Sequence, residues 1–249
     1  MTTPTGPGWI ASVFAKDLLL DPSTRDVSDV KHIIQAVGTS NSISRAEKFI
    51  SDVGAPSTTT AYGSYASLVA DTNIDVIYIA TPHSHHYAQC LLALNAGKNV
   101  VCEKPFTVNA AQTEVLIKLA REKGLFLMEA VWTRFFPLSI KVRELITQGR
   151  VGDVRRVTAD LDLAEEPDTK YADGKHRMVN ADLAGGALLD REWLLGYRWR
   201  QMLIVCSWCV PAHLGVSNAL PHPARSREGG ISAKSHGRDL PLPRHRLRR

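Results

Sequence analysis

Cysteine is scarce in this 249-residue chain, and long apolar runs are missing from it. The four cysteines are unevenly placed, which favours a reducing compartment over a framework of disulfides. The start of the chain lacks a charged and then apolar leader, so we expect a cytoplasmic protein. The most apolar stretch, residues 202–216, is interrupted by Pro211 and is shorter than the ~20 residues of a membrane span. We therefore expect a chain without a disulfide scaffold and without a membrane anchor.

Metal-binding side chains do not occur with the spacing of a metal site. Three histidines fall within residues 83–86, but no paired cysteines or carboxylates accompany them. Cys206 and Cys209 have the C-x-x-C spacing of redox proteins, yet nothing around them resembles a thioredoxin-like unit. We therefore predict no metal ion and treat the C-x-x-C spacing as coincidence.

Basic residues are concentrated at the end of the chain. The formal net charge is +5, and residues 191–249 hold ten arginines and Lys234 against only three acidic residues. From Pro221 onward there are too few apolar residues to bury a core, so we expect a largely disordered, irregular basic tail. Nucleic-acid binding is disfavoured because residues 217–249 carry no aromatic side chain other than histidine to stack on bases.

Strand-like and helix-like segments alternate through the first half of the chain. Apolar runs typical of buried parallel strands occur at residues 31–38, 75–80, 100–102 and 125–128. Between them, amphipathic patterns predict helices over about residues 86–96 and 109–123, the second capped by Asn109 and closed by Gly124. This alternation predicts an α/β fold in which helices cover both faces of a parallel sheet.

Two motifs mark where a ligand is expected to bind. Glu103, Lys104 and Pro105 directly follow an apolar run, and ligands of open α/β sheets bind beyond the carboxyl ends of strands. Near the start, Gly6 and Gly8 belong to a G-x-G-x-x-A pattern that opens a helix, as in phosphate-binding turns of dinucleotide folds. No apolar run precedes Gly6, so the first strand is predicted to be weak or missing.

Together these motifs resemble the glucose-fructose oxidoreductase / inositol dehydrogenase (Gfo/Idh/MocA) family. Within it, residues 6–190 are similar to the branch of dihydrodiol dehydrogenases and NADP-dependent D-xylose 1-dehydrogenases. The matching stretches are GPGWIASVFAKDLLLDPSTRDVSDV, IYIATPHSHHYAQCLLALNAGKNVVCEKPFTVNAAQ, LMEAVWTRFFP and GGALLD. The resemblance implies a Rossmann domain over residues 1–135 and the start of a truncated α+β second domain over residues 136–190, followed by the tail at 191–249.

The resemblance also implies roles for individual residues. Lys104 and Asp190 would be catalytic, with Lys104 hydrogen-bonding a substrate hydroxyl as it loses its proton. Trp132 would form a wall of the substrate pocket, with Arg134 beside it. The residues expected to line the nicotinamide cofactor are Gly6, Gly8, Trp9, Ile10, Thr39, Ser40, Thr81, Pro82, His83, His86, Glu103 and Lys104.

The segment after the second predicted strand bears on the choice between NADP and NAD. An acidic residue there binds the ribose diol of NAD, whereas an arginine accepts the 2′-phosphate of NADP. This chain has no acidic residue at positions 38–42, and Arg45 follows one helical turn later. We expect NADP, with NAD as the alternative.

The family pattern ends at Asp190. The resemblance implies that a Tyr or His four residues beyond this aspartate is the acid/base partner of Lys104. In this chain that position holds Leu194. We hypothesise that the sequence beyond Asp190 arises from a frameshift, a retained intron or a misplaced gene boundary. We therefore predict reduced stability, and two outcomes stay open for this chain: dehydrogenase activity, or nucleotide binding without it.

The expected function is reversible hydride transfer at a carbinol carbon of a small-molecule sugar or diol. The expected reactions are the oxidation of D-xylose to xylonolactone and the oxidation of a trans-dihydrodiol to a catechol. The alternative is a nucleotide-binding protein without catalysis. Intact relatives are expected to form homodimers, which is doubtful for this chain.

Overall fold

Six parallel strands form one sheet in the computed structural model of the protein, which describes residues 2–156, 166–186 and 189–190. The sheet order is β3-β2-β1-β4-β5-β6. The strand bounds are β1 Thr2–Thr5, β2 Ala36–Gly38, β3 Thr60–Tyr62, β4 Val76–Ile79, β5 Asn99–Glu103 and β6 Leu127–Ala130. The order reverses between β1 and β4, which is where a doubly wound sheet opens a crevice for ligands. The predicted Rossmann-type α/β fold is confirmed.

Helices cover both faces of this sheet. Their bounds are α1 Trp9–Leu18, α2 Ile43–Val53, α3 Tyr65–Ala70, α4 His83–Asn95, α5 Ala110–Lys123, α6 Pro137–Thr147 and α7 Pro167–Lys170, with 3₁₀ turns at Pro22–Arg25, Trp132–Phe135 and Ala181–Leu183. Side chains of β4 alternate between two apolar clusters: Ile77 and Ile79 pack with α3, α4 and α5, while Tyr78 packs with α1 and α2. This alternation is the period of two that every strand imposes.

The prediction that the first strand is weak or missing is wrong. Residues Thr2–Thr5 form β1 at the centre of the sheet, pairing with β4 over the register Thr2↔Val76 to Thr5↔Ile79. The strand was expected to be weak because no apolar side chains precede Gly6. Strand pairing uses backbone groups, however, and β-branched threonine suits an extended backbone. Pro4 has no N–H to donate, and the pairing of β1 with β2 is limited to Thr5↔Gly38.

The other predicted elements are present with shifted ends. The run at residues 31–38 contains a strand only at its end, Ala36–Gly38, and the helix expected from residue 86 already begins at His83. Strand β3 was not predicted, because its three residues are too few to show an alternating pattern.

The described residues all belong to one unit, Met1–Cys209. No helix among them is long and apolar enough to cross a membrane. The C-x-x-C pair and the predicted tail at 191–249 lie outside the described residues, and the domain boundaries at 135 and 190 stay predictions.

The N-cap of α5 can be tested by substituting Asn109. Asn109 Oδ1 accepts a hydrogen bond from the backbone N–H of Gln112 at 3.0 Å. Asn109→Ala should lower the free energy of unfolding by about 1 kcal/mol, because one helix N–H loses its acceptor. Urea denaturation measures this, and Asn109→Asp, which keeps an acceptor, is the matched control. Equal stability of the alanine variant and the wild type would contradict the capping role.

Candidate active site

Every strand of a parallel sheet ends at the same edge, and here that edge gathers the predicted site residues. Gly6 follows β1, Thr39 follows β2, and Thr81 lies two residues beyond β4. Lys104 directly follows β5, and Trp132 lies two residues beyond β6. Residues separated by more than a hundred positions in the sequence, Gly6 and Trp132, therefore share one side of the fold.

The turn between β1 and α1 has the geometry of an anion-binding turn. Gly6 has a φ of +78°, and a Cβ added there would lie 3.0 Å from both Ala80 O and Thr81 Cγ2. Helix α1 begins after Gly8 without a side-chain cap or an acidic residue in its first turn. Trp9 is 74% exposed and Ile10 is half-buried. The free N–H groups at this helix start favour an anionic ligand.

Thr39 is a structural residue of the loop between β2 and α2. It is 1% exposed, and its Oγ1 donates to Ser42 O at 2.6 Å and accepts from Ser42 N at 3.1 Å. Ser40 is exposed beside it, and Arg45 is exposed in the first turn of α2. A ligand at this loop would therefore meet the hydroxyl of Ser40 and the guanidinium of Arg45, whereas the hydroxyl of Thr39 is already engaged.

Residues 81–86 join the ends of β4 and α4 to the site. Pro82 precedes the first residue of α4, and Thr81 Oγ1 is buried without a hydrogen-bond partner among the described residues. His86 is fully buried, with Nε2 2.8 Å from Thr81 O and Nδ1 2.8 Å from Pro105 O. Burial lowers the pKa of His86 to about 4. The neutral ring therefore links two loops of the site and can donate to only one carbonyl at a time.

Glu103 closes β5 as a half-buried carboxylate. Its Oε1 accepts from Tyr78 Oη at 2.6 Å, and its Oε2 accepts from Lys104 N at 3.2 Å. Burial raises the pKa of Glu103, and the hydrogen bonds from Tyr78 and Lys104 oppose this rise. The carboxylate is thus held by the Tyr78 hydroxyl from the neighbouring strand β4 and by the backbone N–H of the next residue, Lys104.

Lys104 and Asp190, both predicted to be catalytic, are in direct contact. Lys104 Nζ donates to Asp190 O at 2.6 Å and to Asp190 Oδ1 at 3.1 Å. The Asp190 side chain is 8% exposed and that of Lys104 is 20% exposed. The pair is therefore largely shielded from water, which strengthens it.

Arg177 is a member of this cluster that sequence reasoning missed. Its guanidinium donates to Asp190 Oδ1, while half of its side chain stays exposed. Burial alone would raise the pKa of Asp190, but Arg177 and Lys104 outweigh burial and lower it. No motif surrounds Arg177, so only the fold shows that it approaches Asp190.

His83 completes the cluster from the first turn of α4. Its Nδ1 lies 3.1 Å from Ala184 O, and since a carbonyl only accepts, Nδ1 carries the proton of the neutral ring. Burial lowers the pKa of His83, so Nε2 is unprotonated at neutral pH and lies 3.6 Å from Asp190 Oδ1. The site thus brings an ammonium donor and an imidazole acceptor close to the same carboxylate oxygen, Asp190 Oδ1.

Trp132 and Arg134 lie in the 3₁₀ turn after β6. Trp132 is 49% exposed, and its ring centroid lies 6.2 Å from that of Phe136. Arg134 is exposed, and its carbonyl accepts from Arg143. Among the described residues, no hydrogen bond, ion pair or ring contact joins either of them to Lys104. Their predicted role toward substrate stays a prediction.

The described part of the chain contains no group of three His, Cys, Asp or Glu side chains that could hold a metal ion. The ring nitrogens of His86 both face carbonyl oxygens, and Nδ1 of His83 faces another. Both ring nitrogens of His86 are thus engaged with the backbone, whereas Nε2 of His83 faces Asp190.

Comparisons with known proteins agree with this geometry. The sequence profile of the Gfo/Idh/MocA family, described as an oxidoreductase family with an NAD-binding Rossmann fold, matches residues 5–131. The D-xylose 1-dehydrogenase (NADP(+)) of Hypocrea jecorina is 55% identical over 187 residues, covering 74% of this chain and 48% of that protein. The trans-1,2-dihydrobenzene-1,2-diol dehydrogenase of Mus musculus is 41% identical over 185 residues, covering 74% and 50%.

A solved structure shares the fold. The 3-ketoreductase from Actinomadura kijaniata, in complex with NADP, superposes with a TM-score of 0.52 at 27% identity, covering 62% of this chain and 45% of that one. The chain spans about half the length of the curated relatives that it matches.

The charge balance around Asp190 predicts a stability effect. Asp190→Asn should lower the free energy of unfolding by about 1–2 kcal/mol at neutral pH, because Lys104 and Arg177 lose their shared acceptor charge. The folded-state pKa of Asp190 is lowered, so this contribution is complete above its unfolded pKa of about 3.9 and disappears as the pH falls through the lower folded value.

Urea denaturation of both proteins from neutral to acid pH measures the difference. Asp52→Asn is the control, because it removes the exposed ion pair of Lys48 and Asp52, which contributes little. A stability difference for Asp190→Asn that does not shrink in acid would contradict the assigned ionisation.

Proposed function

The chain belongs to the Gfo/Idh/MocA family of oxidoreductases, and we propose that it binds NADP and oxidises a sugar or cyclic diol reversibly at a carbinol carbon. The two substrate classes are those named for the relatives, D-xylose and trans-dihydrodiols. The observation that carries the proposal is the ammonium of Lys104 at the ligand-binding edge of the sheet, held by Asp190 at 3.1 Å.

The residues at this edge fit a dinucleotide. The positive φ of Gly6 and its close approach to Ala80 O leave no room for a side chain, so the backbone itself would face a pyrophosphate. The uncapped start of α1 supplies N–H groups, and Thr81 Oγ1 is a buried hydroxyl that lacks a protein partner among the described residues. When bound, the nicotinamide ring would supply the hydride acceptor.

The loop after β2 supports NADP over NAD. Ser40 and Arg45 are exposed there, and no acidic residue occupies positions 38–42. A 2′-phosphate would gain a hydroxyl donor and a guanidinium, whereas a ribose diol would find no carboxylate. With this cofactor and so few cysteines, we propose a cytoplasmic location.

Lys104 is suited to stabilise charge on a substrate oxygen. An ammonium has three donors, and among the described residues two of them are taken by Asp190 O and Asp190 Oδ1. The third donor is left for the hydroxyl that loses its proton, and Asp190 fixes the direction in which it points.

A second candidate function is nucleotide binding without turnover. Position 194 holds a leucine where the family resemblance expects a tyrosine or histidine, and leucine cannot accept or donate a proton. Under this alternative the cofactor site of residues 5–131 is retained and the chemistry is lost.

Lys104→Met separates the two candidates. We expect the variant to retain NADPH binding, as measured by fluorescence titration, because the Gly6 turn is unchanged and only one of the residues expected to line the cofactor is altered. NADP-dependent oxidation of D-xylose or a trans-dihydrodiol, measured by NADPH absorbance, should fall about 100-fold or more in the variant. Binding by both proteins without turnover by either supports the second candidate. Absence of NADPH binding by the wild type contradicts both.

The Gly6 turn gives an independent test of cofactor binding. Gly6→Ala should weaken the affinity for NADPH by about tenfold or more, because the new methyl group meets Ala80 O and Thr81 Cγ2 and displaces the turn. Gly54→Ala is the matched control, since Gly54 also has a positive φ, of +69°, but nothing within 4 Å of an added Cβ. Equal NADPH affinity of the Gly6→Ala and Gly54→Ala variants would contradict phosphate binding at the Gly6 turn.

A further inference from the structure

Tyr78 connects the phosphate-binding helix to the end of β5. It lies in the centre of β4 and is 1% exposed. Its ring stacks on Phe14 of α1 with centroids 4.0 Å apart and an interplanar angle of 28°. Its hydroxyl donates to Glu103 Oε1 at 2.6 Å, which is among the shortest hydrogen bonds of the site. One side chain therefore touches both α1 and the carboxylate beside Lys104.

The direction of this hydrogen bond is determined by chemistry. Burial and the charge of Glu103 raise the pKa of Tyr78 far above the physiological range, so the phenol keeps its proton. A phenol facing a carboxylate at 2.6 Å then acts as donor, and hydrogen bonds of this charge-assisted kind are short and strong. Removing the hydroxyl would leave a half-buried carboxylate with one donor fewer.

The groups that face Glu103 come from each element packed against it. From β4 comes the Tyr78 hydroxyl, and from its own strand end come the N–H and the charge of Lys104. Asp190 contributes a like charge that disfavours ionisation of Glu103. From α1 the facing group is the uncharged ring of Phe14, which touches Tyr78. On the neighbouring strand β6, Glu129 Oε1 accepts a hydrogen bond from Phe106 N.

We propose that Tyr78 is a positioning residue of the cofactor site, whose hydroxyl holds the Glu103 carboxylate as a hydrogen-bond acceptor at the edge of the sheet and whose ring ties that carboxylate to helix α1. This inference rests on the proposed function. Each oxygen of an ionised carboxylate has two lone pairs, and the Tyr78 and Lys104 donors occupy one on each. The remaining lone pairs suit hydroxyl groups of the ribose next to the nicotinamide.

Tyr78→Phe tests this role, because it keeps the ring stack on Phe14 and removes only the hydroxyl. Loss of that donor makes the carboxylate harder to ionise, so Glu103 gains its proton at a higher pH than in the wild type. We expect the affinity for NADP⁺, measured by titration calorimetry, to fall in the acid range in both proteins. In the variant this fall should begin about one pH unit higher. At alkaline pH the two affinities should agree within about threefold.

Tyr62→Phe is the matched control. Its hydroxyl also donates to a carboxylate, Asp71 Oδ2, at 3.2 Å. Asp71 lies before the amino end of β4, where Lys98 Nζ donates to Asp71 O. We expect Tyr62→Phe to leave the pH profile of NADP⁺ binding unchanged, since it removes the same atom from a carboxylate other than Glu103.

Glu103→Gln tests whether Glu103 is the group whose protonation is shifted. An amide keeps an acceptor but does not titrate, so adding Tyr78→Phe to Glu103→Gln should no longer shift the pH profile, while the fall caused by protonation of the 2′-phosphate, whose second pKa is about 6, remains. An unshifted profile in a folded Tyr78→Phe, or a shift that persists when Tyr78→Phe is added to Glu103→Gln, overturns the inference while the proposed function stands. Failure of the wild type to bind NADP⁺ at any pH overturns the proposed function and this inference with it.

Discussion

The backbone pairing of β1 at the centre of the sheet is the constraint on which the site depends. Because β1 lies between β2 and β4, its carboxyl end carries the Gly6 turn into the crevice where the strand order reverses. The N–H of Gly6 donates to Gly38 O, and the N–H of Ala80 donates to Thr5 O, so the turn is joined to both neighbours. Without this short strand, the Gly6 turn and the Thr81 loop would not be joined to each other through the sheet.

Electrostatics at the edge of the sheet follow from one carboxylate that faces two cationic donors and one neutral imidazole nitrogen. Asp190 meets Lys104, Arg177 and His83, and its lowered pKa keeps it ionised while His83 stays neutral. Truncating a buried partner in such a cluster leaves charge unmatched, whereas the same cluster when intact fixes side-chain directions. The direction of the Lys104 ammonium is therefore a property of the residues around Asp190 as much as of β5.

The sequence predicted the elements that carry strong patterns and missed those that are short or polar. Asn109 and Gly124 mark the ends of α5 as expected, because capping chemistry is local. Strand β1 escaped because its threonines pair through the backbone, and β3 escaped because it has three residues. Lys104 and Asp190 were both expected in the site from the family resemblance, but Arg177 was not, because no local pattern shows which surface arginine folds back to a site.

Tyr78 shows why a core residue and a site residue are hard to separate in a sequence. In the run DVIYIA, Tyr78 resembles one more apolar side chain of a buried strand. Its ring does pack in the apolar cluster formed with α1 and α2. A phenol in such a place needs a partner for its hydroxyl, because an unmatched buried hydroxyl costs free energy. The polar atom within an otherwise aliphatic run was the available signal. Here that partner is Glu103, the last residue of the neighbouring strand β5 and one residue before the ammonium on which the proposed chemistry depends.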